Sequence, residues 1–220
     1  MLVSADARAA ENRLTDAEKT AGWKLLFDGQ TAAGWRGFKQ AAFPIHGWLV
    51  ENSWLHCLGK RGGDIVTVEE FDQFELEWEW KIESGGNSGV KYFVLESRNG
   101  AIGHEYQMLD DALNPDGKSA NGKHVTASFY DVLKPAIPPP VKPFGEINQS
   151  RILVKGNHVE HWLNGVKVLE YECGSAAVKA AVAESKFKNT TGFGDPAKAH
   201  ILLQDHNSQV WFRNIKIRPL

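Results

Sequence analysis

From Trp23 onward the chain is a succession of short apolar and aromatic runs broken by Gly, Asn and Asp: "WKLLFDG", "GWLVENSWLHCLG", "FELEWEWKIESGGNSGVKYFVLES", "HEYQML", "SRILVKGNHVEHWLNGVKVLEYE", "HILLQDH" and "VWFRNIKIRPL". Runs of this length and spacing predict an all-β, many-stranded antiparallel protein. Alternation is clearest in "FELEWEWKI". There Phe74, Leu76, Trp78, Trp80 and Ile82 share one face, and Glu75, Glu77, Glu79 and Lys81 share the other. Asn164-Gly165 predicts a two-residue hairpin turn, since both residue types accept positive φ.

Two stretches read as helix. "LTDAEK" carries Thr15 as a cap with Glu18 at the third helical position, and "SAAVKAAVAESKFK" spans Ser175 to Lys188. The five prolines of "LKPAIPPPVKPFGE" deny regular hydrogen bonding and predict a long surface loop. No linker separates the strands. The expected organisation is a polar segment over residues 1–21, with a short helix, and one sandwich of two packed sheets over residues 22–220. By analogy with other sandwiches, one curved sheet would offer a groove to a polar ligand.

Composition changes this picture little. Apolar residues make up 42% and charged residues 24%, ordinary for a globular protein, and a net charge of −2 gives no basic footprint for nucleic acid. Cys57 and Cys173 lie far apart and outside any metal-ligand spacing, so a disulfide and two reduced thiols both fit. No apolar run approaches the roughly 20 residues of a membrane span. The first residues lack the apolar core of a secretory signal, although "ADARAAEN" resembles the small-residue surroundings of a cleavage site.

The chemistry concentrates in "GHEYQMLDD". As a strand it puts Glu105, Gln107 and Leu109 on one face and His104, Tyr106, Met108 and Asp110 on the other. A carboxylate and an amide two residues apart in one groove make an acid/base and orienting pair. Standing alone, such a pair more often only solvates a strand. "ESGGNSGVKY" sets Gly85, Gly86 and Gly89 around Asn87 and Ser88, which fits a bulge beside an active site and a plain tight turn equally well. Gln204, Asp205 and His206 close a strand, where His206 could serve as acid, base or ligand. His158 and His161 fall on opposite faces, cannot share a metal, and read as structural. The eight tryptophans are core by default, with Trp35, Trp48, Trp54 and Trp80 as candidates for a sugar-stacking wall. A nucleophile elbow, an H-E-x-x-H pair and a phosphate loop are all absent from the sequence.

These segments, with "GWKLLFDGQTAAGWRGF", "GGDIVTVEEFDQFELEWEWKI", "GGNSGVKY", "SKFK" and "GFG", resemble in number and order the 3-keto-disaccharide hydrolase domain family. The resemblance runs from Gly22 to Leu220. It implies a concanavalin A-like jelly roll, a periplasmic or secreted location, and cleavage of glycosides already oxidised to a ketone at C3. It places Asn87, Ser88, Glu105, Gln107, Asp110, Tyr130, Gln204 and His206 at the family's recurring polar positions. Where relatives often have "GEWN" this chain reads "GEIN", so an aromatic wall is expected to be missing at Ile147; Asn148 beside it joins the substrate-binding set.

A C3 ketone acidifies the C2 proton, so a base can start an elimination of the C1 substituent, and water added to the enone completes a net hydrolysis. Such a site needs a base, an enolate stabiliser and an acid. Glu105 and His206 are the expected base and acid in either order, while Gln107, Asn87 and Lys91 orient hydroxyls or polarise the ketone. A divalent ion on Glu105, Asp110 or His206 would be compatible, though no spacing demands it. A conventional glycosidase would need a second converging carboxylate, and a binding module would need no base at all. The expected partner is a small carbohydrate, and the expected state a monomer or weak dimer.

Overall fold

The computed structural model describes residues 11–220, so most of "ADARAAEN" lies outside the described residues. Among the described residues, thirteen strands form two antiparallel sheets. The larger runs in the order β11 (Val166–Glu172), β10 (His158–Leu163), β9 (Asn148–Lys155), β6 (Phe74–Ile82), β13 (Gln209–Pro219), β4 (Trp54–Leu58) and β3 (Trp48–Glu51), with β1 (Lys24–Leu25) paired to β13. The smaller runs β2 (Trp35–Gly37), β5 (Ile65–Thr67), β12 (His200–Leu203), β7 (Asn87–Val94) and β8 (His104–Leu109). The fold is a jelly-roll sandwich. Its core is aromatic, with Phe74, Trp78, Trp80, Tyr92, Tyr106, Phe129 and Phe212 almost fully buried between the sheets.

The alternation in β6 holds, but its polar face is not simply wet. Glu75, Glu77 and Glu79 stand directly across from Arg218, Lys216 and Arg213 of β13 and pair with them, Arg213 reaching Glu79 at 2.8 Å. These cations cover Glu75 and Glu79 so well that both are buried. Helix α1 (Asp16–Thr20) opens with the expected capping box, in which Thr15 Oγ1 accepts from the Glu18 amide and the Glu18 carboxylate accepts from the Thr15 amide at 2.7 Å. Glu18 also pairs with Lys216, tying the helix to the same face.

Helix α2 (Ala176–Ala183) is shorter than its sequence pattern. Ser175 caps it, but Ser185 turns its hydroxyl back to the Val182 carbonyl at 2.8 Å and accepts from the Phe187 amide at 3.1 Å. That side-chain competition with the backbone ends the helix. The Asn164-Gly165 turn has φ of 49° and 81°, as a type I′ hairpin requires. Cys57 and Cys173 are both free and buried, and burial pushes each thiol up to about 12. The disulfide alternative is thereby set aside.

One buried chain of hydrogen bonds crosses the sandwich. The Gly194 amide donates to His104 Nε2 at 3.2 Å, so the ring proton sits on Nδ1, 2.9 Å from the Tyr171 hydroxyl. Tyr171 then donates to the Tyr92 hydroxyl at 2.6 Å and Tyr92 to His161 Nε2 at 2.8 Å. His161 Nδ1 donates to the Ala127 carbonyl at 2.9 Å. Each group has one role, fixed by the amide at one end and the carbonyl at the other. Burial lowers His104 to about 3 and His161 to about 4, keeping both rings neutral.

Two outcomes follow from this chain. Tyr92→Phe strands His161 Nε2 and the Tyr171 hydroxyl in the core, so urea denaturation should show a loss of about 1–3 kcal/mol; an unchanged midpoint would contradict the chain. Both histidine values lie below the unfolded value, so acid favours the unfolded chain, which takes up protons the folded chain refuses. Stability should therefore fall as pH drops from about 6.5 toward 4, by about 1.4 kcal/mol per pH unit per histidine. The Tyr92 and histidine measurements share the same denaturation assay.

Candidate active site

The five-stranded sheet turns one face to the core and the other to a cleft of about 360 Å³. Strand register builds the cleft floor. Lys91 stands opposite Glu105, Gly89 opposite Gln107 and Asn87 opposite Leu109, while the Gln204 amide donates to the Gly89 carbonyl at 3.0 Å. Period-two alternation thus sends Asn87, Lys91, Glu105 and Gln107 outward as a group and Val90, Tyr92, Tyr106 and Met108 into the core.

Glycines make the floor possible, in two different ways. Gly85 (φ 68°) and Gly86 form the tight turn from β6 into β7, the plain turn that was one of the two expectations for this stretch. Gly89 is a close approach: a Cβ there would lie 2.7 Å from Glu105 Oε1. The bulge expected nearby occurs further on, at Tyr92–Phe93, where Phe93 takes φ 57° and both rings enter the core.

The floor is polar, buried and incompletely partnered. Glu105 is 5% exposed and faces Lys91 Nζ at 3.5 Å; that ammonium also donates to the Ala101 carbonyl at 3.2 Å. Gln107 is 1% exposed, yet neither its amide nitrogen nor its amide oxygen meets a protein partner, and Gln204 Oε1 lacks one as well. A buried amide left so costs roughly 1–3 kcal/mol unless something else supplies the bonds. His206 stands at the exposed rim.

Two loops form the walls. Residues 124–133 cover the edge strand β8 through the Ala127 amide on the Gln107 carbonyl and the Tyr130 amide on the Glu105 carbonyl, which carries the Tyr130 ring over the floor. The Tyr130 hydroxyl donates to Asp116 at 3.1 Å, and burial with the Asp116 charge holds it well above the ordinary phenol range. His124 stacks on Tyr130 and sets its ring nitrogens against Asp116 (2.7 Å) and Asp131 (2.9 Å). The second wall follows α2. Its Lys186 amide donates to Asp131 at 2.7 Å, and its ammonium lies 4.2 Å from the centre of the Tyr130 ring. Burial lowers Lys186 from the usual lysine value, opposed chiefly by the Glu105 charge.

The cleft therefore brings together Glu105, Gln107, Asn87, Lys91, Tyr130, Gln204 and His206. It does not include the other three candidates. Ser88 faces inward and donates to the Gln204 carbonyl at 2.9 Å, because it sits one residue out of phase with Asn87. Asp110 accepts from the Gly85 amide at 2.8 Å and from the amides of Ala112 and Leu113, closing the loop beyond β8. Asn148 belongs to the larger sheet, where its oxygen accepts from the Lys142 amide and from Asn164 Nδ2. Ile147 lies beside it, so the "GEIN" departure removes no wall of this cleft.

The suggested ligand set of Glu105, Asp110 and His206 is consequently not assembled. Among the described residues, the three donors within 4.8 Å of one another are His158, Glu160 and Glu170, and Lys167 already neutralises both glutamates there. His161 lies in the core on the opposite face, as expected. None of Trp35, Trp48, Trp54 and Trp80 reaches the cleft; its aromatic surface comes from Tyr130 and Phe187. Sequence reasoning missed Lys186, Phe187, Thr190 and the Asp116–His124–Asp131 support. A "KFK" at the end of a helical pattern and a His-Asp spacing in a loop were their only signals.

Residues 22–218 match the model of the 3-keto-alpha-glucoside-1,2-lyase-like domain. A Bacteroides thetaiotaomicron protein named 3-keto-disaccharide hydrolase is 34% identical over 231 residues, covering 90% of this chain and 79% of the relative. A crystal structure from Parabacteroides distasonis, provisionally assigned as a glycosyl hydrolase, superposes with a TM-score of 0.87 at 34% identity, covering 96% of this chain and all of that one. A second from the same organism, with the same provisional assignment, gives 0.74 at 28% identity over 90% and 99%.

Gly89→Ala tests the floor geometry. The added methyl must displace the Glu105 carboxylate, and a misplacement of about 1 Å costs on the order of 100-fold in turnover. Steady-state rates on the protein's sugar substrate should fall by that order; unchanged rates would mean the carboxylate position is immaterial.

Proposed function

The chain belongs to the 3-keto-alpha-glucoside-1,2-lyase-like domain family and is a carbohydrate-active hydrolase, and on that footing we propose that it cleaves 3-keto-glycosides by elimination followed by hydration. The observation that carries this reading is the charge inventory of the cleft. Among the described residues that line it, only Glu105 bears a carboxylate, and two ammonium groups, Lys91 and Lys186, accompany it. Ordinary glycoside hydrolysis calls for two carboxyl groups flanking the scissile bond. Elimination next to a ketone calls for one base and a cationic environment for the enolate.

In this reading the Glu105 carboxylate removes the C2 proton, and the C–H electrons move onto the C3 oxygen as an enolate. Lys186, assisted by Lys91, stabilises that oxygen. Two ammonium groups acting together offset the charge that develops on it. The enolate then collapses, forming the C1–C2 double bond as the C1–O bond breaks, and His206 at the rim protonates the departing oxygen. His206 then takes a proton from water as the hydroxyl adds to C1, and Glu105 returns a solvent-exchanged proton to C2, which restores the 3-keto sugar and both catalytic groups. The sum is hydrolysis reached through a lyase step, which accommodates both the family's description and the relative's name.

The buried amides supply recognition. Gln107 offers two donors and an acceptor that no protein group uses, and Gln204 and Asn87 flank it. Sugar hydroxyls would satisfy these atoms, so binding would offset the cost of burying them. The binding-module reading leaves the single carboxylate between two lysines without a role.

A comparison of substrates tests the proposal. A 3-keto-disaccharide should be cleaved and its unoxidised parent left intact over the same period. Glu105→Gln should lower turnover of the keto substrate by roughly 10²–10⁴-fold with the melting temperature retained. Equal cleavage of the unoxidised disaccharide would overturn the mechanism in favour of a conventional glycosidase.

A further inference from the structure

A second cavity, of about 540 Å³, opens beside the cleft between the loops of residues 37–46 and 61–64. Register sets the two side by side. Leu203 pairs with Ile65 on one side and Val90 on the other, so the next residues, Asp64, Gln204 and Gly89, lie side by side on the outer face, with Gln107 beyond them. The Phe38 amide donates to the Asp64 carbonyl at 2.9 Å and extends the row to the next strand. Phe38 walls the second cavity and Ala101 the first, and both pack on one small cluster of Val66, Val94 and Leu202.

We infer that this cavity is the subsite for the leaving group of the same substrate, a second sugar ring joined through C1. The inference rests on the keto-glycoside reading and adds to it where the rest of the molecule is held. The lining has the two chemistries a sugar ring needs: apolar faces on Phe38, Phe43 and Ile45, and hydrogen-bonding groups on His46 and Arg61, while the Asp64 carboxylate is engaged by the Asp205 amide at 2.9 Å. Ile45 projects at the rim with 82% of its surface exposed.

Close backbone contacts and hydrogen bonds shape the cavity. Gly47 and Gly62 cross back to back, so close that a Cβ on Gly62 would lie 2.3 Å from the His46 carbonyl oxygen. The Trp48 indole N–H donates to the Gly63 carbonyl at 2.7 Å, and the Gly63 amide donates to Asp205 at 3.1 Å, next to His206. The protonating group at the rim is thereby tied to the loop that would hold the departing sugar. Preformed walls lower the ordering cost of binding.

The test compares a 3-keto-disaccharide with methyl 3-keto-α-glucoside, whose leaving group is too small to reach the second cavity. Arg61→Ala and Ile45→Asp alter exposed side chains at this subsite and none of the reacting groups. Each should raise KM for the disaccharide about fivefold or more, leave kcat and KM for the methyl glycoside unchanged, and retain the melting temperature. Equal effects on both substrates, or none on either, would overturn the subsite. Wild-type protein that turned over neither keto sugar would instead overturn the elimination reading, and the subsite with it.

Discussion

The buried relay from the Gly194 amide through His104, Tyr171, Tyr92 and His161 to the Ala127 carbonyl is the constraint on which the site depends. It spans the space between the sheets, and its two ends hold the two loops that wall the cleft. One end fixes the segment carrying Lys186; the other fixes the segment carrying Tyr130. An aromatic core alone would fill the volume without dictating which loop residue faces which, whereas a hydrogen-bond chain with a fixed donor order admits one arrangement. Packing and polarity therefore cooperate: the same Tyr92 and His104 rings that meet edge to face in the core set the walls of the functional cleft.

The cleft's electrostatics follow from that placement. Glu105 is buried on a sheet floor where a lone carboxylate would be costly, and the nearby ammoniums of Lys91 and Lys186 offset the cost. Their combined charge favours a substrate that acquires negative charge as it reacts, which is what an enolate does. Gly89 leaves room for the carboxylate, and Tyr130 with its Asp116–His124–Asp131 support keeps the roof at a fixed height. Catalytic geometry here is a consequence of strand register first and of loop anchoring second.

That division also explains what could be read in advance. Period-two alternation made the two faces of "FELEWEWKI" and "HEYQML" legible, and with them the shared orientation of Glu105 and Gln107. The Asn164-Gly165 turn and the Thr15 cap were equally plain, since each is a local device. Ser88 went astray by one step of the same alternation, and Asn148 because nothing local says which sheet a strand joins. Asp110 looks like a ligand in sequence but spends its carboxylate on loop amides. Lys186 comes from an aperiodic loop placed by its contact with Asp131, 55 residues away, whereas His124 is held by nearby Asp116 and Asp131 in a stretch with no periodicity to mark it.

The claim that a single carboxylate opens the reaction at C2 can be read directly from hydrogen. Incubation of the protein with a 3-keto-glycoside in deuterated water, followed by NMR of the released keto sugar, should show deuterium at C2 in step with cleavage. Products that retain only protium at C2 would contradict the account.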